Sequence, residues 1–355
     1  MTTPHISRPA VGWSQWLPDT TEPSHSVHRW LVVVTYVPGM KMLRTPHLAG
    51  LVALAAVLLV TGCRIDQPGP TTTTDPGSSC RAPGLPNTVE YSQISGVDPN
   101  LLSVDVYAPS GICDAPVVMW VHGGGYQIGD KSRQLSDKVR LLNDNGWILV
   151  SVNYRLTVPG DPGSAQFPDH FDDVAAAVAW VDGEIGNYGG DPSRIALLGH
   201  SAGADIVSNV VTNPQYLAQH GLGLGDVSCA GPLDTEGFDK VAAGADGIDA
   251  ENDQWAVALG NNPDYLTETS ATMLIEPGID IPPMIGVVRG RAARRLIETA
   301  FLDALEGAGI AATRIDTTSL THAQVSNQIG APGDTVMTEP VVRFLTDCFS
   351  TTPGG

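Results

Sequence analysis

The sequence predicts an α/β chain, a mostly parallel sheet with helices on both faces. Three observations predict it. From about residue 85 short apolar runs alternate with helical patterns, which is how a parallel sheet connected by crossover helices reads. The central runs, "APVVMWV" and "WILVSV", are continuously apolar rather than alternating, as strands covered on both faces must be. And "SRIALLGHSAGADIVSNVV" passes from a strand through a tight turn directly into a helix. With 355 residues, 42% of them hydrophobic, the chain is long enough for one large or two average domains with a real core. No internal repeat period is present.

Taken in order, "TVEYSQI" and "LLSVDVYAP" read as an opening hairpin, followed by the central strands "APVVMWVHGGG" and "WILVSVNYRL". "FPDHFDDVAAAVAWVDGEIG" reads as a helix. Pro168 stands near its start, Asp172 and Asp173 complement the dipole in the first turns, and Val174, Val178, Val181 and Ile185 form one apolar stripe. The strand–turn–helix above follows, then strands ending in "GPL", "PMIGVVRG" and "ATRID". Residues 240–281, with Trp255 and Tyr265, fall between the last central strands and form either a small cap over a cavity or ordinary surface helices.

The first 84 residues have a different character. From Met40 or Met42 the order is two cations (Lys41, Arg44), an apolar run from Leu48 to Val60 that is short for a membrane span, and the small-residue ending Val60-Thr61-Gly62-Cys63. This order is that of an export signal, and its ending resembles the lipobox of bacterial lipoproteins, which implies that Cys63 is the lipid-bearing residue and that the mature protein is anchored to the outer face of the cell membrane or secreted. We therefore expect residues 40–62 to be a lipoprotein signal peptide and translation to begin at Met40 or Met42, leaving 1–39 as a doubtful N-terminal extension; the alternative is an unusually long n-region before the apolar run. Residues 63–84, rich in Pro, Gly, Ser and Thr, cannot bury enough apolar surface to fold and read as a flexible linker. The catalytic domain is expected over 85–350. Beyond Cys63 four cysteines remain for an oxidising compartment. Of the three pairings four cysteines allow, we take Cys80–Cys113 with Cys229–Cys348.

A formal net charge of −19 argues against a nucleic-acid binder, because the polyanion would be repelled. No His/Cys cluster at ligand spacing calls for a metal, and no cofactor is expected. Oligomeric state is not readable.

The chemistry lies in two stretches. Gly199-His200-Ser201-Ala202-Gly203 fits G-x-S-x-G between a strand and a helix, where flanking glycines let the chain turn sharply and leave a serine strained, with its hydroxyl presented. Upstream, a strand ends in His122-Gly123-Gly124-Gly125, a run that can aim backbone N–H groups into a cavity without side chains in the way.

With these residues the chain resembles the α/β-hydrolase esterases that carry an HGGG motif, and most closely a carboxylesterase and arylformamidase-like branch. The resemblance rests on "HGGGYQIGDK", "SVNYRL", "DPSRIALLGHSAGA" and "LDTEGFD" and covers roughly residues 85–350. It implies Ser201 as nucleophile, the backbones of Gly124, Gly125 and Ala202 as oxyanion donors, and a loop-shaping role for His122. Family order places the acid and then the histidine after the serine, and only His220 and His322 follow Ser201. His322, in "LTHAQV" beyond the last strand, stands where the family places its base. The acid departs from the common pattern: the turn after "PMIGVVRG" offers Arg291-Ala292-Ala293-Arg294-Arg295 and no carboxylate. Asp234, after the preceding strand, is our choice, with Glu236 and Asp239 behind it; helix capping or plain solvation is the competing reading for all three. The implied activity is hydrolysis of a small-molecule carboxylic ester, with short acyl, acetyl or aryl groups favoured. An amide-directed hydrolase (formamidase or peptidase) would use the same residues, and a catalytically silent binding protein would need none of them.

Overall fold

The computed structural model describes residues 86–245, 254–260 and 262–350. The expected extension (1–39), signal segment (40–62) and linker (63–84), and with them Cys63 and Cys80, lie outside the described residues. Among the described residues no helix is long and apolar enough to cross a membrane.

The elements run β1 (Asn87–Glu90), β2 (Ser103–Tyr107), β3 (Ala115–Val121), α1 (Ser136–Asp144), β4 (Ile148–Val152), α2 (Asp169–Glu184), β5 (Gly190–His200), α3 (Ala202–Thr212), α4 (Pro214–Ala218) and β6 (Cys229–Leu233). They continue with α5 (Lys240–Ala245), α6 (Gln254–Leu259), α7 (Pro263–Glu268), β7 (Met284–Val288), α8 (Ala292–Gly307), β8 (Ala312–Asp316), α9 (His322–Asn327) and α10 (Thr338–Ser350). The strands form one sheet in the order β1-β2-β4-β3-β5-β6-β7-β8. β1, β2 and β4 pair antiparallel, and every pair from β4 through β8 is parallel.

The strand side chains divide the core in two, by the two-residue period of a pleated strand. Val117, Met119 and Val121 of β3 face one way, into a core shared with Phe171, Val174 and Val178 of α2, Ile206, Val207 and Val210 of α3, and Phe301 and Leu302 of α8. Val118 and Trp120 face the other way, against Leu142 of α1, Val325 of α9 and Val341 and Leu345 of α10. Helices thus cover both faces, and the continuous apolar runs are central strands as expected.

Two details differ from the sequence reading. β1 stops at Glu90, because Ile94 is left 40% exposed and the segment ending in the 3-10 turn Pro99–Leu102 loops out before β2 returns. In α2 the stripe of Val174, Val178 and Val181 is buried as expected. Asp173, however, does more than complement the dipole: it is buried and receives Arg155 at 2.7 Å. The segment expected as a cap or surface helices contains α5 to α7, with Trp255 3% exposed and Tyr265 packed against the core beside Phe167.

Cys229 at the start of β6 and Cys348 in α10 form a disulfide, the pairing taken from the sequence. Cys113 is also disulfide-bonded; Cys80, its expected partner, lies outside the described residues. The Cys229–Cys348 bridge spans 119 residues and ties the last helix to the sheet it covers. Closing so long a loop in the unfolded chain should stabilise the fold by about 2–4 kcal/mol. Replacing Cys348 by Ser is expected to lower the midpoint of chemical denaturation accordingly, with the slope read alongside to detect any change in the unfolded state.

Candidate active site

The turn between β5 and α3 is made by close approach. A Cβ on Gly199 would lie 2.3 Å from the carbonyl oxygen of Gly203, and one on Gly203 would lie 2.3 Å from that of Val121 in β3. Only hydrogen fits at either position, so helix α3 can begin directly above the sheet. Between them Ser201 has φ 59° and ψ −123°, a conformation that costs a non-glycine residue of order 1–3 kcal/mol and survives only where its surroundings over-determine it. Those surroundings include a hydrogen bond from the Ser201 N–H to the carbonyl of Leu233, at the end of β6, at 3.2 Å. The Ser201 amide is thereby committed. Ala202 is the first residue of α3, where a backbone N–H has no partner inside the helix.

The glycine loop after β3 packs against this turn. Gly124 has φ 128° and its carbonyl accepts from the amides of Gln127 and Ile128, both at 3.1 Å; a Cβ there would meet the Ile128 carbonyl. His122 shapes the loop, as the resemblance implied. Its Nδ1 donates to the carbonyl of Gly123 at 2.8 Å, its ring stacks on Tyr154, and the Tyr154 hydroxyl donates back to the His122 carbonyl at 2.9 Å. Burial holds its pKa below the ordinary histidine value, favouring the neutral ring that this arrangement needs.

His322 opens α9, fixed from below by a capping box in which the Thr321 hydroxyl and the Gln324 amide exchange hydrogen bonds with each other's backbone N–H. Its Nδ1 lies 2.6 Å from Oδ2 of Asp234, whose side chain is fully buried. A carboxylate can only accept, so Nδ1 carries the proton and the neutral ring keeps Nε2 unprotonated. Among the three candidate acids the geometry separates the roles. Asp234 meets His322; Glu236 pairs with Arg294. Asp239 accepts from the Ala242 amide at 2.9 Å and so caps α5, which is the competing reading borne out for that residue.

Three neighbours of this pair had no assignment from the sequence. His200, the variable position of G-x-S-x-G, donates from Nε2 to the carbonyl of His322 at 2.9 Å, with the two rings 4.5 Å apart. Burial, reinforced by the neighbouring His322, pulls its pKa down to about 4, so it adds no positive charge beside His322 near neutrality. Arg289 and Arg294, from the turn after β7 where the common acid is missing, reach Asp234 instead. Arg289 Nε is 2.5 Å from Oδ2 and Arg294 Nη2 is 2.6 Å from Oδ1. Burial alone would raise the pKa of Asp234, but the His322 hydrogen bond and the charges of Arg294 and Arg289 outweigh it and hold the carboxyl well below its usual range. The signal in the sequence was present but read only as an absence: a cluster of arginines closing an apolar strand.

Ser201 and His322 line two cavities. One, of about 420 Å³, is walled by Trp120, Gly123, Gly124, Ile128 and Gln134 among others. The second, of about 220 Å³, is bounded by Tyr126, Ala202, Glu236, Gln254 and Trp255. Gly124 and Ala202 thus come to the walls of the cavities that Ser201 lines, whereas Gly125 lines neither; a Cβ on it would lie 3.0 Å from the Gln254 side chain. Beneath the smaller cavity the buried pair Asp205–Lys240, 2.7 Å apart, ties α3 to the segment that follows Asp234, with Lys240 also donating to the Gly237 carbonyl. Among the described residues His200, Asp234 and His322 are close enough to present ligand atoms to a metal ion. His322 Nδ1 is bonded to Asp234 and His200 Nε2 to the His322 carbonyl, and a cation there would meet two guanidiniums already on the carboxylate.

Comparison with known proteins bears on the family likeness and the fold. A profile of the carboxylesterase family matches residues 66–222, which include the glycine loop and Ser201 but not Asp234 or His322. The chain is 38% identical over 134 residues to gut esterase 1 of Caenorhabditis briggsae (35% of this chain, 23% of that protein). It is 31% identical over 145 residues to para-nitrobenzyl esterase of Bacillus subtilis (39% of this chain, 30% of that one). It therefore spans under a third of the length of these relatives. Among solved structures, esterase 2 of Thermogutta terrifontis superposes with a TM-score of 0.60 at 20% identity, covering 77% of this chain and 98% of that one. The carboxylesterase EstE1 from a metagenomic library gives 0.60 at 21% identity, covering 77% and 91%. The fold is the α/β-hydrolase fold.

Proposed function

We propose that this chain is a serine hydrolase that cleaves small carboxylic esters with short acyl, acetyl or aryl groups. The observation that carries the reading is the hydrogen-bonded pair of His322 and buried Asp234 lining the same cavities as a strained Ser201. In this reading Ser201 Oγ attacks the ester carbonyl while His322 Nε2 takes its proton, and Asp234 stabilises the imidazolium that results. The oxyanion is held by backbone N–H groups of Ala202 and Gly124, which reach the cavity walls; Gly125, the third donor expected, lines neither cavity. His322 then delivers its proton to the departing alcohol, leaving Ser201 acylated. Water, deprotonated by the same imidazole, attacks the acyl carbon and releases the carboxylic acid and free Ser201.

Two cavities at one serine suit the two halves of an ester, and the smaller, which Gln254 and Trp255 help to line, supports a compact group on one side. The HGGG and GHSAG stretches lie within the part matched by the carboxylesterase profile, which favours oxygen esters over amides.

Labelling with a fluorophosphonate probe and hydrolysis of a chromogenic ester series test the reading together. Wild-type protein should label and should prefer acetyl and butyryl over long acyl chains, and Ser201→Ala should lose both labelling and turnover. A folded wild type that neither labels nor hydrolyses would instead favour a hydrolase fold kept for binding. The reading extends to location: export and lipid anchoring through Cys63, with the polar stretch after it as a tether. Metabolic labelling with palmitate should mark the protein in a bacterial host and be lost in Cys63→Ser; label retained in that variant would contradict the anchor.

A further inference from the structure

The proposed reaction uses Asp234 and His322 but gives no task to the two guanidiniums bonded to that carboxylate. We propose that Arg289 and Arg294 are positioning residues of the hydrolytic site, a cationic clamp that the turn after β7 supplies to hold the Asp234 carboxylate in the orientation that aligns His322. The inference rests on the serine-hydrolase reading above.

Topology makes the clamp available. β6 and β7 are parallel neighbours, so their C-terminal ends lie side by side, and residues just past β7 can reach a side chain just past β6. The end of β7 is where a carboxylate would commonly stand, and here the same place delivers two cations to a carboxylate on the adjacent strand. Both oxygens of Asp234 are engaged: Oδ1 by Arg294 Nη2 at 2.6 Å, Oδ2 by Arg289 Nε at 2.5 Å and by His322 Nδ1 at 2.6 Å. A carboxylate with contacts from three sides cannot rotate about its own bond without losing them, so the direction of the His322 hydrogen bond is set by the arginines.

The arginines are themselves held. Arg294 donates from Nε to Glu298 Oε1 at 3.0 Å and from Nη1 to Glu236, so each of its three nitrogens has a carboxylate partner. Glu298, fully buried in α8, also accepts from the backbone amide of Arg289 at 2.7 Å and thereby joins the two arginines. Burial pushes the Glu298 carboxyl up to about 8, against the opposing pull of the Arg289 amide and the Arg294 guanidinium that it accepts from. The other charged groups around the Asp234–His322 pair are His200 at the end of β5, Asp205 in α3 bonded to Lys240, and Lys138 of α1, which acts on His200. None of these contacts both oxygens of Asp234 as the clamp does.

The clamp has a consequence that a mere packing role lacks. Two cations on the carboxylate offset part of the negative field that Asp234 exerts on His322, so removing one should favour the imidazolium. Arg294→Met is expected to lower kcat by about ten- to a hundredfold with KM changed by less than about twofold, the pattern of a lost transition-state alignment. Its acid limb in kcat/KM should move to higher pH, the direction expected when a positive charge on the neighbouring carboxylate is removed. Arg294→Lys should restore much of both. Should Arg294→Met fail to fold, Arg289→Met, which removes one contact to Asp234 and leaves the Glu236 and Glu298 bonds in place, carries the same test.

The titration of His322 followed by NMR in wild type and variant gives a readout that needs no turnover, and the same upward shift is expected. A folded variant with wild-type kcat and an unmoved His322 titration would overturn the proposal. So would a loss of kcat with the titration unmoved, which would assign the arginines to folding support alone. If wild type neither labels nor hydrolyses esters while the titration still shifts on removing Arg294, the hydrolase reading fails and the clamp stands.

Discussion

The hydrogen bond between His322 and Asp234 is the interaction on which the rest of this site depends, and it is a demanding one to build. A carboxylate with a fully buried side chain carries a desolvation cost of several kcal/mol that only well-placed partners offset. The chain supplies a histidine, two arginines and, within 4.0 Å, a second histidine. Each comes from a different point of the sheet's C-terminal edge: His322 from beyond β8, the arginines from beyond β7, His200 from the end of β5. The parallel order of β5, β6, β7 and β8 is what gathers these ends on one side, so topology and electrostatics are one constraint seen at two scales.

Ser201 depends on a different resource, the absence of side chains. Ser201 can hold its strained backbone because Gly199 and Gly203 let β5, α3 and β3 approach to distances that no Cβ would permit. Its amide is tied to the strand that carries Asp234, through the Leu233 carbonyl. The serine and the acid are therefore positioned from one place, the end of β6, and movement of that end would misalign both. The Asp205–Lys240 pair under the smaller cavity and the Cys229–Cys348 bridge at the opposite end of β6 restrain the same segment.

How much of this could be read from the sequence follows from how local each signal is. The central strands were legible because burial on both faces leaves continuous apolar runs, and the turn at Ser201 because close packing requires glycine at fixed offsets. Asp234 was legible only by exclusion, through the missing carboxylate after β7. Its separation from Glu236 and Asp239 took the structure, since all three sit within one short polar segment and differ only in what they meet. The clamp was not legible. Arg289 and Arg294 act on a residue more than fifty positions away, and no local pattern distinguishes an arginine that reaches a buried aspartate from one that stays in water. His200 was overlooked for a related reason: the motif fixes the glycines and the serine and leaves that position open. The early end of β1 at Glu90 reflects competition the sequence hides, since an edge strand with a single neighbour loses its pairing as soon as its partner turns away.

The central claim is that a proton on Nδ1 of His322 is shared with a buried, ionised Asp234, and it can be observed directly. One-dimensional proton NMR of the folded protein in water should show a far-downfield imidazole N–H resonance that survives Ser201→Ala and disappears in His322→Gln and in Asp234→Ala. A folded wild type without such a resonance, or one that persists unshifted when Asp234 is removed, would contradict the account.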